Sequence, residues 1–407
     1  MDTGRPGGPH HAGRRGRQDR PEFPRTRRWD VSDDVRHALA YLSRVCEPPC
    51  AGLSALVKRV GAVAAAERVK AGDVDADLFS RIEARYKIDC AAEDLELLDR
   101  RGGRLVSAED DEWPLLSFAA FAGMNHKDRP QAHSPLALWV IGPARLDDMA
   151  ARAAAIVGTR AATTYGEHVA ADLAAGLVER DVTVVSGGAY GIDGAAHRAA
   201  LATEGFTVAV LAGGIDIPYP SGHSALLHRI GQQGLVVSEY PPGVRPARHR
   251  FLTRNRLVAA LSGATVVVEA GARSGAANTA AWARALGRNV CAVPGPVTSS
   301  ASVGCHALLR DEAHLVTRAA DVVEFVGQIG ELAPDEQRPG SELDGLGEAE
   351  QRVYEALPAR GRSTVDQIAI ASGLAPTQVL GPLSMLEVIG LVVRDEGYWK
   401  LKRKLKR

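Results

Sequence analysis

The sequence predicts a doubly wound α/β fold, and three features of the chain between Ala153 and about Gly330 predict it. Short apolar runs alternate with helical segments, the runs are apolar at nearly every position, and most of them end in Gly, Ser or Glu. Strands that are apolar on both faces are typical of a parallel sheet covered by helices on each side. We therefore expect a mostly parallel sheet whose ligand-binding loops follow the carboxyl ends of its strands.

The region before this core predicts helices and a tail. Residues 31–98 form a predicted small all-helical domain, because their apolar residues recur at spacings of three and four. The core itself, residues 99–330, begins with an N-terminal extension in which the apolar run Leu136 to Gly142 predicts a connecting strand. Residues 1–30 are rich in Arg, Gly and Pro and have few apolar residues, which predicts a disordered basic tail.

A third folded unit is predicted near the carboxyl end of the chain. Residues 331–347 carry acids among Pro and Gly and are typical of a linker. Residues 348–400 contain three helical segments and then a hairpin that turns at Asp395, Glu396 and Gly397, which is the pattern of a winged helix. Residues 401–407 consist mostly of Lys and Arg and form a predicted basic tail.

Composition limits the classes of protein to consider. The 407 residues contain 49 Lys and Arg and 49 Asp and Glu, so a nucleic-acid-binding surface has to come from local clustering of charge. No stretch approaches the roughly 20 apolar residues that span a bilayer, and a signal peptide's apolar core is missing, which predicts a cytoplasmic protein without membrane attachment. The scattered cysteines predict packing thiols in a reducing compartment and no metal site. These are Cys46, Cys50, Cys90, Cys291 and Cys305.

Glycine-rich turns after the predicted strands indicate anion binding. Glycine lets the backbone approach an anion closely, and the N–H groups at a helix start point toward it. Arg160 stands where a nicotinamide dinucleotide fold has its second glycine, so we expect phosphate contact there and no cofactor; an ordinary turn with a solvated arginine is the alternative. The predicted phosphate-binding residues are Gly158, Thr159 and Arg160 after the first strand, Ser186, Gly187, Gly188, Ala189 and Asp193 after the second, and Gly213 and Gly214 after the third.

Residues 245–256, which read RPARHRFLTRNR, form a basic segment around one aromatic residue. Five arginines with no acid among them repel one another unless an anion or an acid lies between them. Phe251 offers a face on which a base can stack, worth about 1–3 kcal/mol. The segment therefore predicts a groove for a polynucleotide strand, and a solvated loop with Phe251 in the core is the alternative. The guanidinium groups predicted to suit phosphate are those of Arg248, Arg250, Arg254 and Arg256.

Acidic residues near strand ends leave an enzymatic interpretation open. Asp193 and His197 lie four residues apart at a predicted helix start, and Asp216 and Glu269 lie near other strand ends. No nucleophile or set of metal ligands accompanies them, so capping and ion-pair roles are favoured. A buried carboxylate on the apolar strand that carries Glu269 needs a partner. The candidate partners are Arg254, Arg256 and Arg273.

Eight motifs, in order along the chain, resemble the DNA-processing protein A family, also called DprA or Smf. They are IVGTRxxTxYG (Ile156–Gly166), VVSGGAYGIDGAAH (Val184–His197), VLAGGIDIPYP (Val210–Pro220), SEYPPG (Ser238–Gly243), FLTRNRLVAALS (Phe251–Ser262), VVVEAGARSGAANTA (Val266–Ala280), AVPGPV (Ala292–Val297) and GCHALLRDEAHLV (Gly304–Val316).

The resemblance implies an extended Rossmann-like core with an N-terminal SAM-like helical domain and a C-terminal winged helix. It also implies a non-catalytic protein that binds single-stranded DNA, protects incoming strands and loads the RecA recombinase during natural transformation, usually as a homodimer. Arg160 matches the family's phosphate-contacting arginine, Phe251 its base-inserting aromatic, and Arg248 a DNA-binding lysine. The residues that match the phosphate pocket, the element beside it and its wall are Ser186, Gly187, Gly188, Arg254, Asn255, Arg256, Ser274 and Gly275.

Two other functions compete with this interpretation. The fold is related to nucleotide phosphoribohydrolases, but their PGGxGTxxE signature corresponds here to GARSGAANTA, which lacks the glycine–threonine pair and the final glutamate. A winged helix also occurs in transcription regulators. The predicted third helix, Ala375 to Gly390, contains no Lys or Arg with which to reach phosphates and bases. We therefore expect this unit to make a protein contact, or a modest DNA contact through the terminal cations.

Overall fold

The structure, a computed structural model, describes residues 32–126, 129–272, 274–327 and 346–402. The predicted tail 1–30, most of the acidic linker, most of the basic tail and Arg273 lie outside these residues. Contacts divide the chain into two units, Met1–Ala333 and Pro334–Arg407, and each is described by itself.

From residue 32, where the described part of the first unit begins, five helices precede the sheet. Two of them begin at side-chain caps: Ser32 Oγ accepts a hydrogen bond from the Val35 N–H (3.3 Å), and Asp75 Oδ1 accepts one from the Leu78 N–H (2.9 Å). Such caps satisfy amide hydrogens that have no partner within the helix. The helices are α1 (Asp33–Val45), α2 (Ala51–Val60), α3 (Ala62–Ala71), α4 (Ala76–Ile82) and α5 (Ala91–Arg100).

These helices pack on the sheet and share a hydrophobic core with it. Leu42 of α1 and Leu98 of α5 are fully buried in one cluster with Trp139 and Ala209, which lie on strands of the sheet. The helical region therefore covers one face of the sheet.

A nine-stranded, mostly parallel sheet forms the centre of the first unit, which confirms the predicted α/β fold. The first two strands, at one edge, are antiparallel, so the N-terminal extension supplies two strands where one was predicted. In the order β1-β2-β6-β5-β4-β3-β7-β8-β9, the strands are β1 (Gly103–Ser107), β2 (Ala137–Ile141), β3 (Ala153–Val157), β4 (Thr183–Ser186), β5 (Thr207–Leu211), β6 (Leu235–Ser238), β7 (Ala264–Val267), β8 (Asn289–Ala292) and β9 (His314–Leu315).

The strand order reverses at β3. The chain continues from β3 to β4 on one side, and it later returns to place β7 on the other side. In open α/β sheets this switch point creates a crevice at the carboxyl ends of the two strands. The connecting helices are α6 (Leu115–Ala119), α7 (Leu146–Ala151), α8 (Thr164–Val178), α9 (Ile192–Ala202), α10 (Ser224–Gln233), α11 (Arg248–Ala260), α12 (Gly275–Ala285), α13 (Val303–Arg310) and α14 (Ala319–Val326).

The second unit has the predicted winged-helix pattern. Val353, Leu383 and Trp399 are buried in its core, and the hairpin turns through Glu396 and Gly397, both of which have positive φ. Its elements are α15 (Glu348–Glu355), α16 (Val365–Ser372), α17 (Pro376–Val388), β10 (Val392–Asp395) and β11 (Tyr398–Leu401).

A helix that spans a bilayer must be both long and apolar. Within the four described stretches, no single helix meets both requirements, and α16 and α17 meet them only when taken together across a 103° bend.

Candidate nucleic-acid interface

A cleft of about 760 Å³ opens at the switch point. Its walls are the turn that follows β3, the amino-terminal half of α11, and the loop between β7 and α12. The structure therefore brings together turns and a basic segment that lie far apart in the sequence. The predicted site residues that line it are Gly158, Thr159, Arg160, Gly187, Ala189, Asp193, Arg248, Phe251, Arg254, Asn255, Ser274 and Gly275.

The ring of Phe251 lies in this cleft between a cation and a second aromatic residue. The Arg160 guanidinium lies 4.9 Å from the ring centroid, and the Tyr219 ring lies 5.3 Å from it at an interplanar angle of 53°. Tyr219 is 43% exposed, and Phe251, on helix α11, is half-buried, so this aromatic surface is not part of the core. The alternative of a solvated loop with Phe251 in the core is therefore wrong.

Helix α11 presents one face to the cleft. Arg248, Phe251, Leu252 and Asn255 follow the i, i+3, i+4, i+7 spacing of a single helical face, and all four line the cleft. The helix begins within the basic segment, at Arg248. Tyr219 and Leu252 were not among the predicted site residues. The helical period, extended back to Arg248, was the signal that could have found Leu252.

Two helix starts at the cleft carry no acidic residue. Helices α11 and α12 both begin there, and neither has an acid in its first turn. Ser274 Oγ accepts a hydrogen bond from the Ala277 N–H (3.2 Å), and Ala247, which precedes α11, supplies no side-chain cap. The partial positive charge of each helix start therefore favours an anion in the cleft.

The charged residues that line the cleft add to the positive charge of these helix starts. Among the described lining residues, three arginines, Arg160, Arg248 and Arg254, face one aspartate, Asp193, so these residues carry a formal charge of +2 (three minus one). Arg160 and Arg248 are exposed. Within the described part of the chain neither has a carboxylate within ion-pairing distance, so both are available to a ligand.

The glycine-rich turn after β4 already holds an anion, which is the chain's own Asp193. Its Oδ2 accepts hydrogen bonds from the Gly187 N–H (3.1 Å) and the Ala189 N–H (3.3 Å). Burial raises the pKa of Asp193, and the Arg254 charge and these amide hydrogens oppose that rise. The two amide groups therefore have a different partner from the predicted phosphate.

Arg254 holds the strand ends together. It is 6% exposed, and Nη1 donates to the carbonyl oxygens of Gly187 (2.8 Å) and Val210. Gly187 makes this approach possible, since a Cβ there would lie 2.4 Å from Arg254 Nη2. Burial lowers the pKa of Arg254 to about 10, against the raising effect of Asp193. Arg254 thus sets the potential and shape of the cleft wall.

Two further arginines of the basic segment pair with acids of the same chain. Arg256 is fully buried, and its Nη2 donates to both carboxylate oxygens of Glu239 (2.5 and 2.6 Å). Arg250 donates from Nε (2.6 Å) and Nη2 (2.9 Å) to Glu47, in the loop between α1 and α2. Neither residue lines the cleft, so the structure places both outside the predicted phosphate path.

The remaining predicted residues lie behind the cleft wall. Ser186 is buried, and its Oγ donates to the Ile156 carbonyl (2.6 Å), which ties β4 to β3. Gly214 donates from its N–H to the Val244 carbonyl (2.7 Å), and Gly213 packs beside it against residues 244–246. Gly188 lies beside His223, and the distance between His223 Nδ1 and the Gly188 carbonyl oxygen is 3.0 Å. These residues hold neighbouring backbone segments together and do not line the cleft.

The prediction of an arginine partner for Glu269 is wrong as regards Arg254 and Arg256. The carboxylate instead accepts hydrogen bonds from the Thr163 N–H (2.9 Å) and the Thr163 hydroxyl (2.6 Å), at the start of α8. The physical reason is local, since this helix start has unpaired amide hydrogens within reach of Glu269, which lies in the loop just after β7. Arg273, the third candidate, lies outside the described residues.

The chain belongs to the DNA recombination-mediator protein A family, since the model of that family matches residues 104–327. This confirms the resemblance seen in the motifs. The match spans the sheet, the cleft and all nine connecting helices from α6 to α14.

Individual relatives are similar over different lengths. The chain is 71% identical to the putative DNA processing protein DprA of Mycobacterium tuberculosis over 91% of this chain and 95% of that protein. The X-ray structure of DNA processing protein A from Streptococcus pneumoniae is 30% identical, with a TM-score of 0.58, and the match covers 71% of this chain and 96% of that one. A Helicobacter pylori DNA processing protein A structure, described for its single-stranded DNA binding mode, is 30% identical over 47% of this chain and 86% of that one, with a TM-score of 0.43.

Proposed function

We propose that this protein is a non-catalytic, single-stranded DNA-binding recombination mediator that protects incoming strands and loads the RecA recombinase during natural transformation. The observation that carries the proposal is the composition of the cleft. Exposed arginines and two helix starts supply positive charge, and Phe251 with Tyr219 supplies an aromatic surface among them. Proteins that bind single strands combine a positive groove with aromatic side chains on which bases stack.

The aromatic surface favours a single strand over a duplex. In a duplex the base faces are already stacked, whereas the unpaired bases of a single strand can lie on the ring of Phe251. Arg160 lies against the same ring, so a phosphate that it contacts is linked to a base near Phe251. The winged-helix unit adds no base-reading cations on α17, which argues against a transcription regulator as the alternative.

The candidate acid and base groups are committed to structural contacts, which supports a protein without catalysis. Asp193 accepts two backbone hydrogen bonds, and Glu269 caps α8 through Thr163. Burial lowers the pKa of His197 to about 3, and its Nδ1 lies 2.7 Å from the Thr207 hydroxyl. A phosphoribohydrolase needs such groups free to act on its substrate.

The partners and setting are inferred from the family. Membership among recombination mediators supports RecA as the protein partner and a homodimer as the working form. A cytoplasmic location fits these partners.

The proposal is tested first by comparing DNA forms. We expect the full chain to shift oligo(dT) in an electrophoretic assay at a concentration at least about tenfold below that needed for a duplex of equal length. Incubation with nucleoside monophosphates is expected to release no free base. Tighter binding of the duplex would favour the transcription regulator, and measurable base release would favour the phosphoribohydrolase.

Removal of the exposed cations is expected to weaken oligo(dT) binding and its salt dependence together. Arg160→Ala and Arg248→Glu should each lower affinity by about tenfold, because each removes a charged hydrogen-bond donor to phosphate. Each lost contact should reduce the slope of log K against log[salt] by about 0.7. Fluorescence anisotropy at several salt concentrations measures both quantities.

Arg180→Ala is the matched control. Arg180 is exposed and follows α8. This helix begins beside the cleft and ends at the amino ends of the strands, away from the cleft. The control should bind oligo(dT) like the unmodified protein. Unchanged binding by both cleft variants, or an equal loss in the control, would refute the assignment of the cleft.

A further inference from the structure

A second cavity, of about 370 Å³, opens at the amino ends of the parallel strands, whereas the cleft opens at their carboxyl ends. It is lined by Ala153, the first residue of β3, whereas the cleft is lined by Val157, the last residue of that strand. Four strand residues at about 3.3 Å each place the two sites about 13 Å apart along the strand direction. The apolar part of its wall comes from Trp113, Leu115, Leu116, Phe325 and Val326.

Arg288 brings a positive charge into this apolar wall. Within the described part of the chain it has no carboxylate partner, and its Nε is buried without any hydrogen-bond partner. Nη2 makes only long hydrogen bonds, to the carbonyl oxygens of Leu116 (3.4 Å) and Ser117 (3.3 Å). Burial lowers the pKa of Arg288, and no acid opposes that effect. A half-buried guanidinium without a counter-ion is costly, and an arriving carboxylate would remove that cost.

Two leucines at the mouth of the cavity are exposed. Leu115 is 69% exposed and Leu116 is 87% exposed, and they are consecutive residues at the start of α6. Together with Phe325 and Val326 they form an apolar surface beside the Arg288 charge. Apolar surface of this kind, combined with one charged group, is typical of protein contact sites.

We propose that this cavity is a docking site for an acidic peptide segment of a partner protein. A carboxylate of the segment pairs with Arg288, and a neighbouring apolar side chain packs on Leu115, Leu116 and Phe325. The cavity lining also contains one acid, Asp147, whose carboxylate pairs with Arg145 (2.9 Å). Charge complementarity therefore selects this occupant, since among the described lining residues Arg288 is the charge left without an ionic partner. Because the cavity and the cleft lie at opposite ends of the strands, a partner can bind here while a DNA strand occupies the cleft.

A short labelled peptide tests the proposal on the full chain. The probe is a fluorescein-labelled peptide of alternating leucine and aspartate, and its control has asparagine in place of each aspartate. We expect fluorescence polarisation to detect binding of the aspartate peptide, at least about tenfold weaker binding of the asparagine peptide, and no displacement by excess oligo(dT).

Three variants locate the binding to this cavity. Arg288→Gln is expected to weaken peptide binding by at least about tenfold, and Leu116→Ser by about threefold or more. Arg284→Gln, on the same side of the sheet but paired with Asp311 outside the cavity, should bind the peptide like the unmodified protein. Retained oligo(dT) affinity in each variant shows that the sheet is folded.

Several outcomes would overturn the proposal. These are equal binding of the two peptides, displacement of the peptide by oligo(dT), and an equal loss in Arg284→Gln. If Arg288→Gln fails to fold, Leu116→Ser and the asparagine peptide decide the question, because Leu116 is exposed and contributes little to the core.

Discussion

Arg256→Ala is expected to destabilise the first unit by about 3–5 kcal/mol, because it leaves the Glu239 carboxylate buried without its partner. Arg256 is fully buried, Glu239 is 4% exposed, and the Arg256 guanidinium also lies 5.6 Å from the centroid of the Phe121 ring. Urea unfolding followed by circular dichroism measures the change as a lower midpoint for the transition that unfolds the sheet. Glu239→Gln should act in the same direction, since it leaves the Arg256 charge unpaired.

Two controls separate burial from loss of charge. Arg284→Ala removes an exposed ion pair with Asp311 and should change stability by about 0–1 kcal/mol. The double variant Arg256→Met with Glu239→Leu should lose much less than either single variant, because no buried charge remains. A loss in Arg256→Ala no greater than in Arg284→Ala would contradict a structural role for the buried pair.

Phe251→Ala is expected to weaken oligo(dT) binding by about 1–3 kcal/mol, or roughly 5- to 150-fold, by removing the face on which a base stacks. The variant removes no charge, so the slope of log K against log[salt] should stay the same. This distinguishes it from the arginine variants of the cleft. Anisotropy titrations across salt concentrations give both the loss and the slope.

Phe206→Ala is the matched control for Phe251→Ala. Phe206 is 37% exposed and directly precedes β5, at the end of that strand that lies away from the cleft. Its loss should therefore leave oligo(dT) affinity unchanged. A purely anionic competitor, inorganic polyphosphate, should bind the Phe251→Ala variant nearly as well as the unmodified protein. An equal loss for polyphosphate and oligo(dT) would contradict a stacking role.

The sequence predicted the α/β core because each buried strand is apolar on both faces, and this signal is local. The N-terminal extension was harder to predict. Strand β1, at the antiparallel edge of the sheet, pairs with β2, and β2 pairs with β6, which lies about a hundred residues further along the chain. Such pairing depends on tertiary contacts that the periodicity of a short run does not contain.

The candidate site shows the same division between local and distant signals. Arg160, Arg248 and Phe251 lie in the cleft, as the glycine-rich turns and the basic segment predicted. DNA contact by these residues remains a prediction. What the basic segment could not indicate was which arginines have acid partners within the chain, because Arg256 pairs with Glu239 and Arg250 with Glu47.

The pairing of Arg250 with Glu47 gives the helical region an influence on a cleft that it does not line. Glu47 also lies 3.2 Å from His249 Nε2 and 3.4 Å from Arg85 Nη2, so one carboxylate offsets the charge of two arginines, Arg250 and Arg85, beside the start of α11. Related chains could therefore adjust their hold on a nucleic acid by substitutions in the loop between α1 and α2. Differences in nucleic-acid affinity between related chains would then originate in this loop, which does not line the cleft.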